Sequence, residues 1–256
     1  MQYSPQNVFD LTGRAALVTG SSRGIGAAIA CGLAGAGAKV FVHGQSKAST
    51  QGTLAKVHAT GAEGEAVFGD LAEKGQGRKL VEECERRAGQ LDILVINASA
   101  QINAPLAQLT EADLSYQIDV NLRSTMEMLQ TCLPLMAARG WGRVVNIGSI
   151  NQSGPKPVVT AYAATKAAQH NLMQSQAREY ARSGVTLNTL SPGLIDTDRN
   201  AGRKTSDPEA WANYVATANW MGRAGKPEEM IGAALLLASD ASRFMTGEVV
   251  TLSGGY

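Results

Sequence analysis

Cysteine is scarce in this chain of 256 residues. Its three cysteines, Cys31, Cys84 and Cys132, are scattered over helix-like segments without the paired spacing of metal ligands. The pattern excludes a cysteine-built metal site and predicts reduced thiols packed as small apolar groups. Charge of one sign is lacking too: 23 Lys and Arg face 22 Asp and Glu, a formal net charge of +1. Such a balance gives no global attraction to nucleic acid or to an anionic membrane. No apolar run approaches membrane-spanning length, and the opening MQYSPQNVFD has no basic segment leading into an apolar stretch. The expected location is therefore the cytoplasm. Internal repeats and linker-like boundaries are missing as well, and the length suits one domain over 1–256.

Glycine, by contrast, is abundant, with 28 residues gathered at strand ends and turns. Short apolar runs rich in β-formers alternate with longer helical patterns, the signature of a parallel sheet covered on both faces. Strands are predicted at Ala15–Val18, Lys39–His43, Glu65–Phe68, Ile93–Ile96, Arg143–Ile147, Val185–Leu190 and Val249–Leu252. Ligand-binding residues are then expected just beyond the carboxyl ends of these strands.

Two motifs carry chemistry. In AALVTGSSRGIGAAIA a strand runs into Thr19, Gly20, Gly24 and Gly26, and a helix begins near Ile25. Glycine there lets backbone approach a pyrophosphate, leaves helix amides to receive its charge and permits close helix–strand packing. A plain tight turn has similar spacing, but the strand–turn–helix setting argues for the nucleotide. In SINQSGPKPVVTAYAATK, Ser149 stands thirteen residues before Tyr162, and Lys166 follows by four. Positions i and i+4 share a helix face, and a neighbouring cation favours the ionised form of a phenol. Alone the pair also describes a surface contact. With Ser149 it describes a device for exchanging a proton with a substrate oxygen.

These residues together resemble the short-chain dehydrogenase/reductase family over almost the whole chain, with the bacterial 3-oxoacyl-acyl-carrier-protein reductases nearest in appearance. The resemblance implies an α/β single-domain Rossmann fold, a doubly wound seven-stranded parallel sheet flanked by helices. It implies catalytic Asn121, Ser149, Tyr162 and Lys166, with Asn121 holding a helix distortion and a water. The cofactor turn would comprise Gly20, Ser22, Arg23, Gly24, Ile25 and Gly26, the adenine contact Asp70 and Leu71, and the adenosine-ribose contact Asn97 and Ala98. Pro192, Gly193, Ile195 and Thr197 would cover the nicotinamide, while Tyr162 and Lys166 would also touch the cofactor. It further implies a homotetramer and a substrate lid at about 198–221.

At the end of the second strand, in VFVHGQSK, Gly44 stands where a carboxylate would select NAD. His43, Gln45, Ser46 and Lys47 surround it, and Arg23 adds a positive charge suited to a phosphate. Both features point to NADP(H), with NAD(H) still usable. Two departures from the family pattern stand out: Ile96-Asn97-Ala98-Ser99 where Asn-Asn-Ala-Gly is usual, and Leu252-Ser253-Gly254-Gly255 without an aspartate. The first bears on loop geometry, the second on packing or assembly.

The expected reaction is reduction of a carbonyl, a 3-oxoacyl thioester or similar ketone, to a secondary alcohol. The substrate would be small or carried on an acyl carrier, for which Arg139 and Arg182 are docking candidates, although each also suits a helix C-terminus. Sugar or polyol dehydrogenases share the same catalytic residues. A non-catalytic NADP(H)-sensing regulator would be expected to lack one of them. Trp211, Tyr214 and Trp220 either line the substrate pocket or anchor the lid, and Ile150, Asn151, Gln152 and Pro155–Pro157 could form the opposite wall.

Overall fold

The computed structural model describes residues 4–255. Its strands are β1 (Ala15–Val18), β2 (Lys39–Gly44), β3 (Gly64–Phe68), β4 (Ile93–Ile96), β5 (Gly142–Ile147), β6 (Val185–Pro192) and β7 (Val249–Leu252). They form one parallel sheet in the order β3-β2-β1-β4-β5-β6-β7. Each strand predicted from sequence is present, with β2, β3, β5 and β6 longer by one or two residues. The helices are α1 (Pro5–Val8), α2 (Gly24–Gly35), α3 (Lys47–Ala59), α4 (Gln76–Ala88), α5 (Glu111–Ile118), α6 (Ser124–Arg139), α7 (Thr160–Tyr180), α8 (Ala201–Ser206), α9 (Pro208–Thr217) and α10 (Ile231–Ala238).

The strands read as unbroken apolar runs because both faces of the sheet are covered. Alternate side chains nevertheless divide cleanly between two cores. Leu17, Phe41, Leu94, Ile96 and Val144 pack with Leu80 and Cys84 of α4, Met128 and Cys132 of α6, and Met173 of α7. Val18, Val40, Val42, Ile93, Val95 and Val145 pack with Ile29 and Leu33 of α2, Val57 of α3 and Leu237 of α10. Burial pushes the Cys84 thiol far up and Cys132 to about 12, so both remain neutral packing groups.

β2 and β3 lie to one side of β1, and β4 onward to the other. The chain therefore leaves β1 and β4 in opposite directions, which opens a crevice at their carboxyl ends. Thr19 closes its floor. Its hydroxyl donates to the Val95 carbonyl at 3.2 Å and accepts from the amides of Asn97 and Ala98 at 3.0 and 3.1 Å. That tie performs the strand-linking role for which Ile96 has no polar group; Ile96 itself is buried in the core.

Candidate active site

A cleft of about 1330 Å³ occupies the carboxyl ends of the strands. All the residues expected at the cofactor line it, as do Ser149, Tyr162 and Lys166. Asn121 lies behind its wall, fully buried.

The turn after β1 is built for close approach. Gly20 and Gly24 have φ of +61° and +57°. A Cβ at Gly20 would lie 2.8 Å from the Ala98 backbone, and one at Gly26 would lie 2.4 Å from Asn97 Nδ2 and 2.6 Å from the Gly20 carbonyl. Asn97 uses that space to donate to the carbonyls of Thr19 and Gly20, at 2.8 and 3.0 Å. No side chain caps the first turn of α2, so its leading amides are free to receive an anion. Arg23 at that end is 76% exposed and, among the described residues, pairs with Asp198 at 3.9 Å. A Cβ at Gly44 would lie 2.6 Å from Ser49 Oγ and 2.9 Å from Thr50 Cγ2, so a carboxylate side chain there would have to displace both. These features fit a dinucleotide with a phosphorylated ribose.

His43 lines the same end, but its ring is occupied. Nδ1 accepts from the Gly20 amide at 2.9 Å, so Nε2 carries the proton and donates to the Gly69 carbonyl at 3.1 Å. Burial, opposed by Gly69 and Asp70, holds the imidazole below the ordinary histidine value. Its work is to brace the glycine turn, and no N–H is left for a ligand. Ser46 caps α3 through Ser49, and Asp70 accepts from the Ala72 amide at 2.9 Å. Gln45 is exposed at the cleft edge.

On α7 the buried residues Tyr162, Lys166, Gln169, Met173 and Ala177 form one stripe at steps of three and four. The stripe is polar where it reaches the strand ends and apolar over the core. Lys166 Nζ lies 5.8 Å from the Tyr162 ring centroid and donates to the Ile147 carbonyl at 2.7 Å. Burial, reinforced by the charge of Arg199, pulls Lys166 from the usual lysine value down to about 7. Ser149, at the end of β5, accepts from the Asn151 amide at 3.2 Å, and its own amide donates to Gln152 Oε1 at 3.3 Å.

Asn121 sits in a π-helical turn, Asp119–Arg123, between α5 and α6. Its side chain exchanges two hydrogen bonds with the Ala100 backbone, at 2.7 and 2.9 Å, and donates to Thr165 Oγ1 at 2.9 Å. Its carbonyl accepts from Gln169 Nε2 at 2.6 Å. Gln169 thus links the distortion to the stripe bearing Tyr162 and Lys166, a role with no signature in the sequence.

At the other end of the cleft the alternatives divide among the residues. Tyr214 lines it, whereas Trp211 packs on Tyr214 with ring centroids 5.8 Å apart, and Trp220 is 87% exposed beside Gly255. Ile150 and Asn151 line the wall near Ser149, joined by Lys156. Ser99, the departure from glycine, receives Arg199 on both its carbonyl and its hydroxyl, at 3.1 and 2.9 Å. Arg139, a docking candidate, instead pairs with Glu85 at 2.9 Å and donates to the Leu91 carbonyl at 2.7 Å. Its charge holds α6 to α4. Arg182 is exposed.

Comparison with known proteins matches residues 20–256 to the family model described as enoyl-(acyl carrier protein) reductase. Gluconate 5-dehydrogenase of Gluconobacter oxydans is 34% identical over 252 residues, covering 98% of each chain. The rhamnolipids biosynthesis 3-oxoacyl-(acyl-carrier-protein) reductase of Pseudomonas aeruginosa is 35% identical over 253 residues, covering 97% of this chain and 98% of that one. Among solved structures, a 3-oxoacyl (acyl-carrier-protein) reductase from Agrobacterium tumefaciens C58 with NADP bound has a TM-score of 0.98 at 62% identity. That match covers 100% of this chain and 99% of the other.

Proposed function

The chain belongs to the short-chain dehydrogenase/reductase family of oxidoreductases, and on that footing we propose that it is an NADP(H)-dependent enzyme reducing a ketone to a secondary alcohol. The observation that carries this reading is a single cleft joining the open N-terminus of α2 to Ser149, Tyr162 and Lys166. When bound, the reduced nicotinamide supplies the hydride. Tyr162 donates a proton to the carbonyl oxygen, and Ser149 holds and polarises that oxygen. Lys166, one turn from Tyr162, favours the anionic phenol as its proton leaves and would hold ribose hydroxyls. Asn121 keeps the π turn open to a water through which Lys166 exchanges protons with solvent.

The wider cofactor set comprises Gly20, Ser22, Arg23, Gly24, Ile25, Gly26, Gln45, Ser46, Asp70, Leu71, Asn97, Ala98, Pro192, Gly193, Ile195 and Thr197. Arg23 and Gly44 support preference for the 2′-phosphate, as does the NADP bound to the similar Agrobacterium reductase. Substrate reading begins with a 3-oxoacyl thioester or similar ketone, supported by that same likeness. A second reading, a sugar-acid or polyol dehydrogenase, is supported by the likeness to gluconate 5-dehydrogenase and by Asn103 and Asn151 in the cleft wall. We further propose that segment 198–221 acts as a lid and that the enzyme is a cytoplasmic homotetramer. No helix among the described residues is long and apolar enough to cross a membrane.

The test is a substrate panel of 3-oxoacyl thioesters, keto-sugars and keto acids with each cofactor. Turnover of at least one ketone class, with NADPH giving the higher kcat/KM, is expected. A clear NADH preference would defeat the phosphate assignment, and silence across the panel would defeat the catalytic one.

A further inference from the structure

Three cations line the cleft: Lys156, from the segment between β5 and α7, and Arg199 and Arg203, from the segment 198–221 proposed as a lid. None of them forms an ion pair with a carboxylate among the described residues. The nearby acids are committed elsewhere: Asp196 to Lys204, Asp198 to Arg23, and Asp207 to capping α9 through the Ala210 amide at 2.9 Å. A charge cluster of one sign facing a cavity, with its counter-ions absent, is complementary to a ligand of the opposite sign.

Geometry narrows the ligand. Arg199 Cζ lies 6.0 Å from the Tyr162 ring centroid, so this cation neighbours the group assigned to the carbonyl. Its guanidinium is held by neutral acceptors only, Ser99 O, Ser99 Oγ and Gln101 Oε1, at 3.1, 2.9 and 3.2 Å. Of five donors, Nε and one Nη1 hydrogen remain for an incoming group. Across the opening, Lys156 Nζ donates to the Tyr214 hydroxyl at 3.1 Å, and Arg203 Cζ lies 4.4 Å from the same ring centroid. Burial pushes the Tyr214 hydroxyl up, yet Lys156 and Arg203 outweigh it and leave that group below the ordinary phenol value. The local field is therefore positive. Gln101, Asn103 and Asn151 add neutral donors and acceptors along the same wall.

From this placement we infer that Arg199, Arg203 and Lys156 form a carboxylate clamp, and that the ketone reduced at Tyr162 belongs to a short hydroxylated keto acid. This rests on the proposed carbonyl reduction and takes the second substrate reading, a sugar acid, over the 3-oxoacyl thioester. One exposed ion pair contributes little, about 0–1 kcal/mol. Cations on both sides of the opening, two of them arginines capable of forked contacts, offer an anion more than one such pairing.

The experiment compares 5-keto-D-gluconate, its uncharged counterpart L-sorbose, and the uncharged acetoacetyl N-acetylcysteamine thioester, each with NADPH. Wild type and the Arg199→Gln, Arg203→Gln and Lys156→Gln variants are assayed. Calorimetry on the NADP⁺-loaded protein measures D-gluconate and D-sorbitol binding in parallel. Wild type should favour the keto acid over L-sorbose by about tenfold or more in kcat/KM, and each variant should collapse that ratio through a raised KM for the acid. D-gluconate should bind, D-sorbitol should bind at least about tenfold more weakly, and the variants should lose the difference. Equal use of acid and ketose by wild type, or variants that weaken every substrate alike, overturns the clamp while leaving carbonyl reduction standing. If no ketone turns over, carbonyl reduction fails and the clamp is judged by calorimetry: gluconate binding that is absent, or unchanged in the variants, overturns it.

Discussion

Tyr162 and Lys166 lie on the same stripe of α7, yet their assignments lead to different measurements. Tyr162→Phe removes only a hydroxyl from a ring that is 5% exposed, so fold and NADPH affinity should persist. Turnover should fall by about 10²–10⁴, the range of a lost general acid; stopped-flow reduction with near-wild-type rates would remove Tyr162 from the mechanism. Lys166 is 1% exposed, and its amine is lowered to about 7 from 10.5. Between those values the unfolded chain holds a proton that the folded chain lacks. The stability of the cofactor-free protein therefore rises with pH across this window, and the Lys166 penalty is complete below about 7. Thermal unfolding from pH 7 to 9.5 should show that rise, and Lys166→Met should flatten it. The slope is the diagnostic quantity, because the substitution also orphans the Ile147 carbonyl. An unchanged slope in Lys166→Met would assign the rise to other groups.

At the scale of elements, the turn between β1 and α2 works because several local choices agree. Gly26 makes room for Asn97, Asn97 holds the carbonyls of Thr19 and Gly20, and His43 holds the Gly20 amide. Gly26→Ala should displace Asn97 and weaken NADPH binding by about tenfold or more, with a smaller loss of thermal stability. Titration of protein fluorescence with NADPH checks this, and unaltered affinity would show that the turn tolerates the methyl group. Much of the element level was legible from the chain. The run of β-branched and aliphatic residues at Ile93–Ile96, bounded by Asp92 and Asn97, reads as a buried strand of a covered sheet and is one. The π turn was not legible in the same way. Nothing in the periodicity of DVNLR distinguishes it from a continuous helix; Ala100, Thr165 and Gln169, brought in from other segments, stabilise the distortion around Asn121.

For the whole molecule, β7 is an edge strand, and Trp220 and Phe244 are large apolar side chains left exposed among the described residues. Unpaired edges and exposed aromatics favour association. Light scattering should give the mass of a tetramer, and Phe244→Asp should lower it at equal concentration; a wild-type monomer would contradict the proposed assembly.

Local order along the chain settled the alternation of strands and helices, the glycine turn, and the spacing that sets Tyr162 and Lys166 on one face. Those features follow from the periods of helix and strand and from the backbone freedom of glycine, all of which act over a few residues. Only the tertiary structure decided that His43 braces the turn, that Gln169 supports Asn121, and that Arg199 reaches Ser99 across 100 residues of sequence to stand near Tyr162. Such meetings depend on the crossing of separate segments at the strand ends, and a period shared by neighbours carries no record of which distant side chain arrives there.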